Sequence, residues 1–106
     1  MIPDGLLQIV KNDNDITWTD EAMERKLERV IGNGISKLDR LNGRENDYIN
    51  EGQAQSLLLN YVKYDLSNCL DDFDKNYQSE IVSFINRAKV TGYVESETAD
   101  SERNFQ

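Results

Sequence analysis

The chain of 106 residues has no histidine. Imidazole acid–base chemistry, histidine metal ligation and the Ser/His/Asp and Cys/His nucleophilic arrangements are therefore excluded. A single cysteine, Cys69, rules out an internal disulfide, and an intracellular, reducing setting is the expected one. No apolar run approaches the roughly 20 residues needed to cross a bilayer, so no membrane partner is expected. The opening segment MIPDGLLQIV has no basic n-region and no small-residue cleavage site, and is not expected to be a signal peptide. Bases are also scarce, with 12 Lys and Arg against 20 Asp and Glu and a net charge of −8. Autonomous nucleic-acid binding needs a basic patch that displaces counterions from phosphates, and the sequence shows none. An acidic surface that lets DNA pass without holding it is still compatible with this balance.

With 38% hydrophobic and 30% charged residues, the chain matches one small globular domain on the polar side. Its charge is unevenly placed. Residues 65–80 carry Asp65, Asp71, Asp72, Asp74 and Glu80 against Lys75 alone, giving −4, whereas residues 20–41 balance five acids with five bases. So many acids make neighbouring carboxylates unavoidable, and no pair comes with the surroundings that acid–base catalysis requires. The chain is expected not to be an enzyme and to need no cofactor or metal.

The periodicity predicts helices throughout. Pro3 to Lys11 reads as a short helix with Leu6, Leu7, Ile9 and Val10 on its apolar side, followed by a turn at Asn12-Asp13-Asn14-Asp15. Thr19 is the expected N-cap of the next helix, with Asp20 and Glu21 at the positive end of its dipole and a Trp18–Met23 hydrophobic staple. Met23, Leu27, Val30, Ile31, Ile35 and Leu38 recur at steps of three and four, and Asn42-Gly43 supplies the stop. Glu21 and Arg25 are spaced for an i,i+4 ion pair. Gly32-Asn33-Gly34 interrupts this helix without breaking the phase of the stripe. One helix with a weak point, where another backbone approaches closely, is the preferred reading; a turn that splits it is the rival. A phosphate-gripping glycine loop lacks the required lysine-serine and strand context.

After the polar linker 43–52, Leu58, Val62, Leu66, Cys69 and Phe73 form one stripe, widened by Ala54, Leu57 and Tyr61 on one side and by Leu59 and Leu70 on the other. So broad a face predicts a central helix running on to Phe73, with Cys69 buried and with Asp65 and Asp72 at the edge of the face in an ion pair or polar interface. Ile81, Phe84, Ile85 and Ala88 predict a last helix over 78–90. From Val94 the chain is polar and acidic, too poor in apolar residues to order itself alone. The expected organisation is all-α: a small helical bundle over 1–93, built from a short N-terminal helix and three main helices, with a flexible acidic tail over 94–106.

Two segments imitate a calcium loop. Asp13, Asp15, Thr17, Glu21 and Glu24 match EF-hand positions one, three, five, nine and twelve, but Trp18 stands where a sharp turn needs glycine. Asp72-x-Asp74-x-Asn76 has Tyr77 at position six and Ser83 at position twelve, and so departs from the pattern at both.

Ile16-Thr17-Trp18 before an acidic helix start, Leu57-Leu58-Leu59-Asn60-Tyr61-Val62-Lys63-Tyr64, and Asp71-Asp72-Phe73-Asp74-Lys75-Asn76-Tyr77-Gln78-Ser79-Glu80-Ile81 together resemble the head–tail connector proteins of tailed phages, also called adaptor or head-completion proteins. The third segment is the most specific, and the likeness spans residues 5–93. The Gly32-Asn33-Gly34 break departs from the uninterrupted helix of that pattern. The resemblance implies a structural virion protein, made in the host cytoplasm and placed at the head–tail junction. There it would form a ring with further copies between the portal protein and a tail-side completion protein, and extend the DNA channel used in packaging and ejection. It also implies that Trp18, Tyr93, Val94 and Phe105 meet partners, since the C-terminal segment of such proteins often reaches onto a neighbour, and that Asp71, Asp72 and Asp74 line the channel. An alternative reading of the same acidity is a small regulatory interaction module, antirepressor- or antitoxin-like, that covers a basic partner surface.

Overall fold

The structure, a computed structural model, describes residues 2–87, and all its regular elements are helical. In chain order they are α1 (Leu6–Asp13), α2 (Glu21–Asn42), α3 (Gln53–Leu66), a 3-10 turn (Leu70–Asp72), α4 (Phe73–Asn76) and α5, helical over 78–87. The expected small all-α bundle is what forms. Its core takes Leu6 and Val10 from α1, Leu27, Val30, Ile31 and Leu38 from α2, and Leu57, Leu58, Tyr61 and Val62 from α3. Phe73 of α4, Ile81 and Phe84 of α5, and Tyr48 from the linker complete it. Each such side chain contributes roughly 1.5–3 kcal/mol by leaving water, so the aligned stripes of α2 and α3 supply most of what holds the bundle.

Helix α2 runs unbroken through Gly32-Asn33-Gly34 for 22 residues. The two glycines have different surroundings. A Cβ built on Gly34 would lie 2.6 Å from Leu58 Cδ1 and 2.8 Å from Tyr61 Cδ1, so α3 packs into the space that a side chain would fill. A Cβ on Gly32 meets nothing within 4 Å. The close approach expected at this point is therefore real, but it is made by two side chains of α3, not by its backbone.

Three helices end in the same way. After α1, Ile16 N–H reaches Lys11 C=O at 2.8 Å and Asp15 N–H reaches Asn12 C=O at 3.3 Å, with Asp15 left-handed at φ 56. After α3, Cys69 N–H reaches Tyr64 C=O at 2.9 Å and Asn68 N–H reaches Asp65 C=O at 3.0 Å, with Asn68 at φ 59. After α2, Arg44 N–H reaches Asp39 C=O at 3.1 Å past the left-handed Gly43, at φ 72. This is Schellman closure, in which one left-handed residue turns the chain and satisfies carbonyls that the helix leaves open. Only Gly43 takes that conformation freely; Asp15 and Asn68 take it because short polar side chains tolerate it.

These caps correct several boundaries. The third helix stops at Leu66 and does not continue to Phe73, because Asn68 turns the chain there. Phe73 still reaches the core, carried by the 3-10 turn and α4. Cys69 accordingly lies in the connection, partly exposed, and is not a buried member of a helical stripe. Helix α1 starts at Leu6, after a turn closed by Leu6 N–H on Pro3 C=O at 3.2 Å, and it absorbs Asn12 and Asp13. The N-cap of α2 is Asp20, whose Oδ1 accepts Met23 N–H at 2.8 Å, and not Thr19. Trp18 makes no staple with Met23, since it stands 76% exposed.

An aromatic cluster joins the second half of the chain to α3. Phe73 meets Tyr61 and Tyr64 edge-on at 5.5 and 5.9 Å and stacks on Tyr77 at 5.2 Å. Tyr64 also meets Tyr77 edge-on at 5.6 Å, and its hydroxyl accepts from Asn76 Nδ2 at 3.0 Å. Such pairs add about 0.5–1.5 kcal/mol each beyond their buried area, enough to seat a helix as short as α4.

Gly34→Ala and Gly32→Ala are expected to move stability in opposite directions. The first forces Leu58 and Tyr61 to shift in a filled core, a cost of about 1–3 kcal/mol from which the better helix propensity of alanine subtracts up to about 1. The second adds a helix-favouring methyl in open space and stabilises by roughly 0.5–1 kcal/mol. Urea denaturation of both variants reads this directly, and stabilisation by both would show that α3 does not press on α2 at Gly34.

Candidate partner-binding surfaces

Trp18 lies in the short non-helical connection between α1 and α2, and its neighbours on both sides are tied down. On the N-terminal side the Schellman closure holds Ile16, which packs partly buried against the core. On the C-terminal side Thr19 Oγ1 donates to Glu24 Oε2 at 2.7 Å and Asp20 caps α2. The same Glu24 oxygen accepts Lys11 Nζ at 2.6 Å, so one carboxylate fastens α1, the connection and α2 together. Hydrogen bonds from Lys11 and Thr19, and then the lysine's charge, hold the Glu24 carboxyl below its ordinary value. Lys63 of α3 adds a second tie: its ammonium lies 2.9 Å from Asp13 Oδ2 and donates to Asp13 C=O at 2.9 Å, at the negative end of the α1 dipole. The result is an exposed indole on a segment that is itself held.

The acids after α3 form a second surface. Asp71 and Asp72 lie exposed on the 3-10 turn, and neither is in an ion pair among the described residues. Asp74, on α4, differs: Lys37 of α2 approaches its two oxygens at 3.1 and 3.3 Å. Asp71 and Asp74 share a shallow cleft of about 300 Å³ with Lys37, Tyr61, Leu70 and Phe73. Burial first, and then the negative charges of Asp65 and Asp74, push the Tyr61 phenol above its ordinary value. Of the three acids proposed to line a channel, two thus present unpaired charge among the described residues and one is paired with Lys37. Asp65 and Asp72 make no ion pair among the described residues, so of the two alternatives expected at the edge of the stripe the ion pair does not form there.

Trp18 and the acidic turn belong to different connections, α1–α2 and α3–α4. Tyr93, Val94 and Phe105 lie outside the described residues. Among the described residues no group of three or more His, Cys, Asp or Glu side chains is placed to hold a metal ion. Two of the four carboxylates of the first calcium-like segment are engaged elsewhere, Asp13 with Lys63 and Glu24 with Lys11. The Glu21–Arg25 pair forms, at 3.8 Å between exposed side chains, and is worth little.

One anchor had no clear signal in the sequence. Tyr48, in the linker read as polar, is 2% exposed and donates its hydroxyl to Asp39 Oδ1 at 2.6 Å. Asn46 Nδ2 donates to the same oxygen at 2.8 Å, and Gln55 Nε2 to Tyr48 C=O at 3.1 Å. Burial, and then the bond to the Asp39 carboxylate, raise the Tyr48 phenol far above its ordinary value. The linker is thereby packed down on both helices that it joins. A lone aromatic among Asn, Asp and Glu was the available hint.

No family model, curated protein or solved structure matches the chain.

The Glu24 tie makes a pH-dependent prediction. A carboxyl held below its ordinary value adds stability above that value and loses the contribution as pH falls through its folded-state value. Glu24→Gln removes the contribution at every pH. The stability difference between the natural chain and Glu24→Gln should therefore be largest near neutrality and vanish in acid, as read by chemical denaturation at several pH values. An NMR titration placing the Glu24 carboxyl at or above 4.5 would contradict the tie.

Proposed function

We propose that this chain is a structural subunit of the phage head–tail connector kind, which works by docking and carries out no turnover. In this reading, copies assemble as a ring between a portal protein and a tail-side completion protein, and DNA passes through the ring without specific binding. The observation that carries the proposal is Trp18, 76% exposed on a connection fastened at both ends. Tryptophan is among the residues most enriched at the energetic centre of protein interfaces. The three segments that carry the resemblance are the Trp18 connection, the central helix α3, and the turn from Asp71 into α5, so the likeness covers both the packing centre and the exposed features. Open charge at Asp71 and Asp72 suits a surface that repels a passing phosphate backbone.

The alternative, a regulatory module whose acidic face covers a basic partner, draws on those same two acids. It gives Trp18 no particular part, which is why the connector reading is preferred.

The test is to mix the purified chain with the portal protein of the same genome, image by negative stain, and measure affinity. Added ring density on the portal is the expected result. Trp18→Ala should weaken association by at least about 2 kcal/mol, roughly thirtyfold, while changing folding stability by no more than about 0.5 kcal/mol. An absence of portal association, together with capture of a basic regulatory protein, would favour the alternative.

A further inference from the structure

Between the C-terminal half of α2 and the outer side of α5 lies an open groove of about 360 Å³. Its apolar wall is Leu41, Ile81 and Val82, and Val82 is 48% exposed although it lies on a helix that buries Ile81 and Phe84. Lys37 and Lys75 stand on its rim together with Asp74. Because Asp74 is held by Lys37, the charge left open belongs to Lys75, which has no ion-pair partner among the described residues. The groove therefore suits a segment that is acidic and carries a few apolar side chains.

We infer that this groove seats the chain's own C-terminal segment, residues 95–106. That segment, ESETADSERNFQ, carries Glu95, Glu97, Asp100 and Glu102 against Arg103, a net −3, with Ala99 and Phe105 as its apolar residues. The charge signs are complementary, and the connection is short. Val82 is five residues before Arg87, where the described chain ends, or about 7.5 Å along α5. The seven residues 88–94 span at most about 25 Å when extended, which covers a reversal back over that distance. A tether of this length sets an effective concentration in the millimolar range. A weak contact of one lysine and a small apolar wall is then occupied within one chain at protein concentrations where a second copy would not bind. The contact does not depend on the proposed assembly.

Zero-length carbodiimide crosslinking of the full chain, followed by mass spectrometry, tests the inference. An equal mixture of nitrogen-14 and nitrogen-15 protein identifies the source of each link. The Lys63–Asp13 and Lys11–Glu24 pairs, at 2.9 and 2.6 Å, serve as internal controls that must form. The expected result is links from Lys75 to Glu95, Glu97, Asp100 or Glu102, each of a single isotope. Val82→Asp and, on the exposed rim, Gln78→Glu each place a repelling charge in the groove and should lower those links at least about threefold with the controls unchanged. Controls without Lys75 links to the tail would overturn the inference. So would isotopically mixed links, which assign the groove to a second copy, or tail links that neither variant reduces.

Discussion

The structure turns on the place where α3 lies against Gly34. Leu58 and Tyr61 occupy the space where a Cβ would stand, so the two longest helices pack more closely there than any side chain would permit. The rest of the chain is positioned from that contact. Tyr61 also carries Phe73 edge-on, Phe73 carries Tyr77, and α5 leaves from Tyr77. On the other side, Leu27, Val30 and Ile31 of α2 lie in the same core as Leu6 and Val10 of α1. A glycine in a helix interior sacrifices about 1 kcal/mol of intrinsic propensity. Gly34 is consistent with the fold because the packing it admits is worth more than that, whereas Gly32, two residues earlier, has no such neighbour.

Ending the helices in the right places is the second constraint, and it shows how much the sequence disclosed. The stripes of α1 and α2 are legible because a 3.6-residue period is a property of many residues at once: Leu27, Val30, Ile31 and Leu38 are all buried as their spacing predicts. The stop at Asn68 is a property of one residue. Leu66, Cys69 and Phe73 continue the period of α3 across it, so the pattern reads as one helix while the backbone turns. Asn42-Gly43 was recognisable because glycine takes the left-handed conformation without strain, and the turn at Asp15 because four Asn and Asp residues stand in a row; Asn68 reaches the same conformation as a single residue of a type that is also common elsewhere.

Long-range polar ties were the least legible part. Lys63 and Asp13 are fifty residues apart, and Tyr48 and Asp39 are nine apart across a reversal of the chain. No local spacing announces either pair. Each does a definable job: Lys63 closes the C-terminal end of α1, and Tyr48 holds the linker against α2, while Gln55 ties it to the start of α3. The candidate surfaces divide along the same line. Trp18 and the acids at 71, 72 and 74 stood out by composition, but only the folded arrangement distinguishes Asp74, bonded to Lys37, from Asp71 and Asp72. It also shows that Trp18 does not serve the helix start behind it.

The combination of a fastened connection and an exposed indole has a thermodynamic consequence. Association loses free energy to the ordering of loops and side chains, and a segment already ordered in the free protein avoids that loss. Ile16 is fixed by its bond to Lys11 and by core contact, and Thr19 and Asp20 by Glu24 and Met23, leaving two residues between them. A tryptophan has only two side-chain torsions to fix, so most of its apolar area can be used on contact. On the docking role proposed for Trp18, the Glu24 carboxylate would sit at the junction of folding and docking. It joins α1 to α2 through Lys11, and through Thr19 it steadies the backbone that presents Trp18. If Trp18 docks as proposed, loosening that junction would lower the affinity without touching the indole, because the partner would have to order the connection as well.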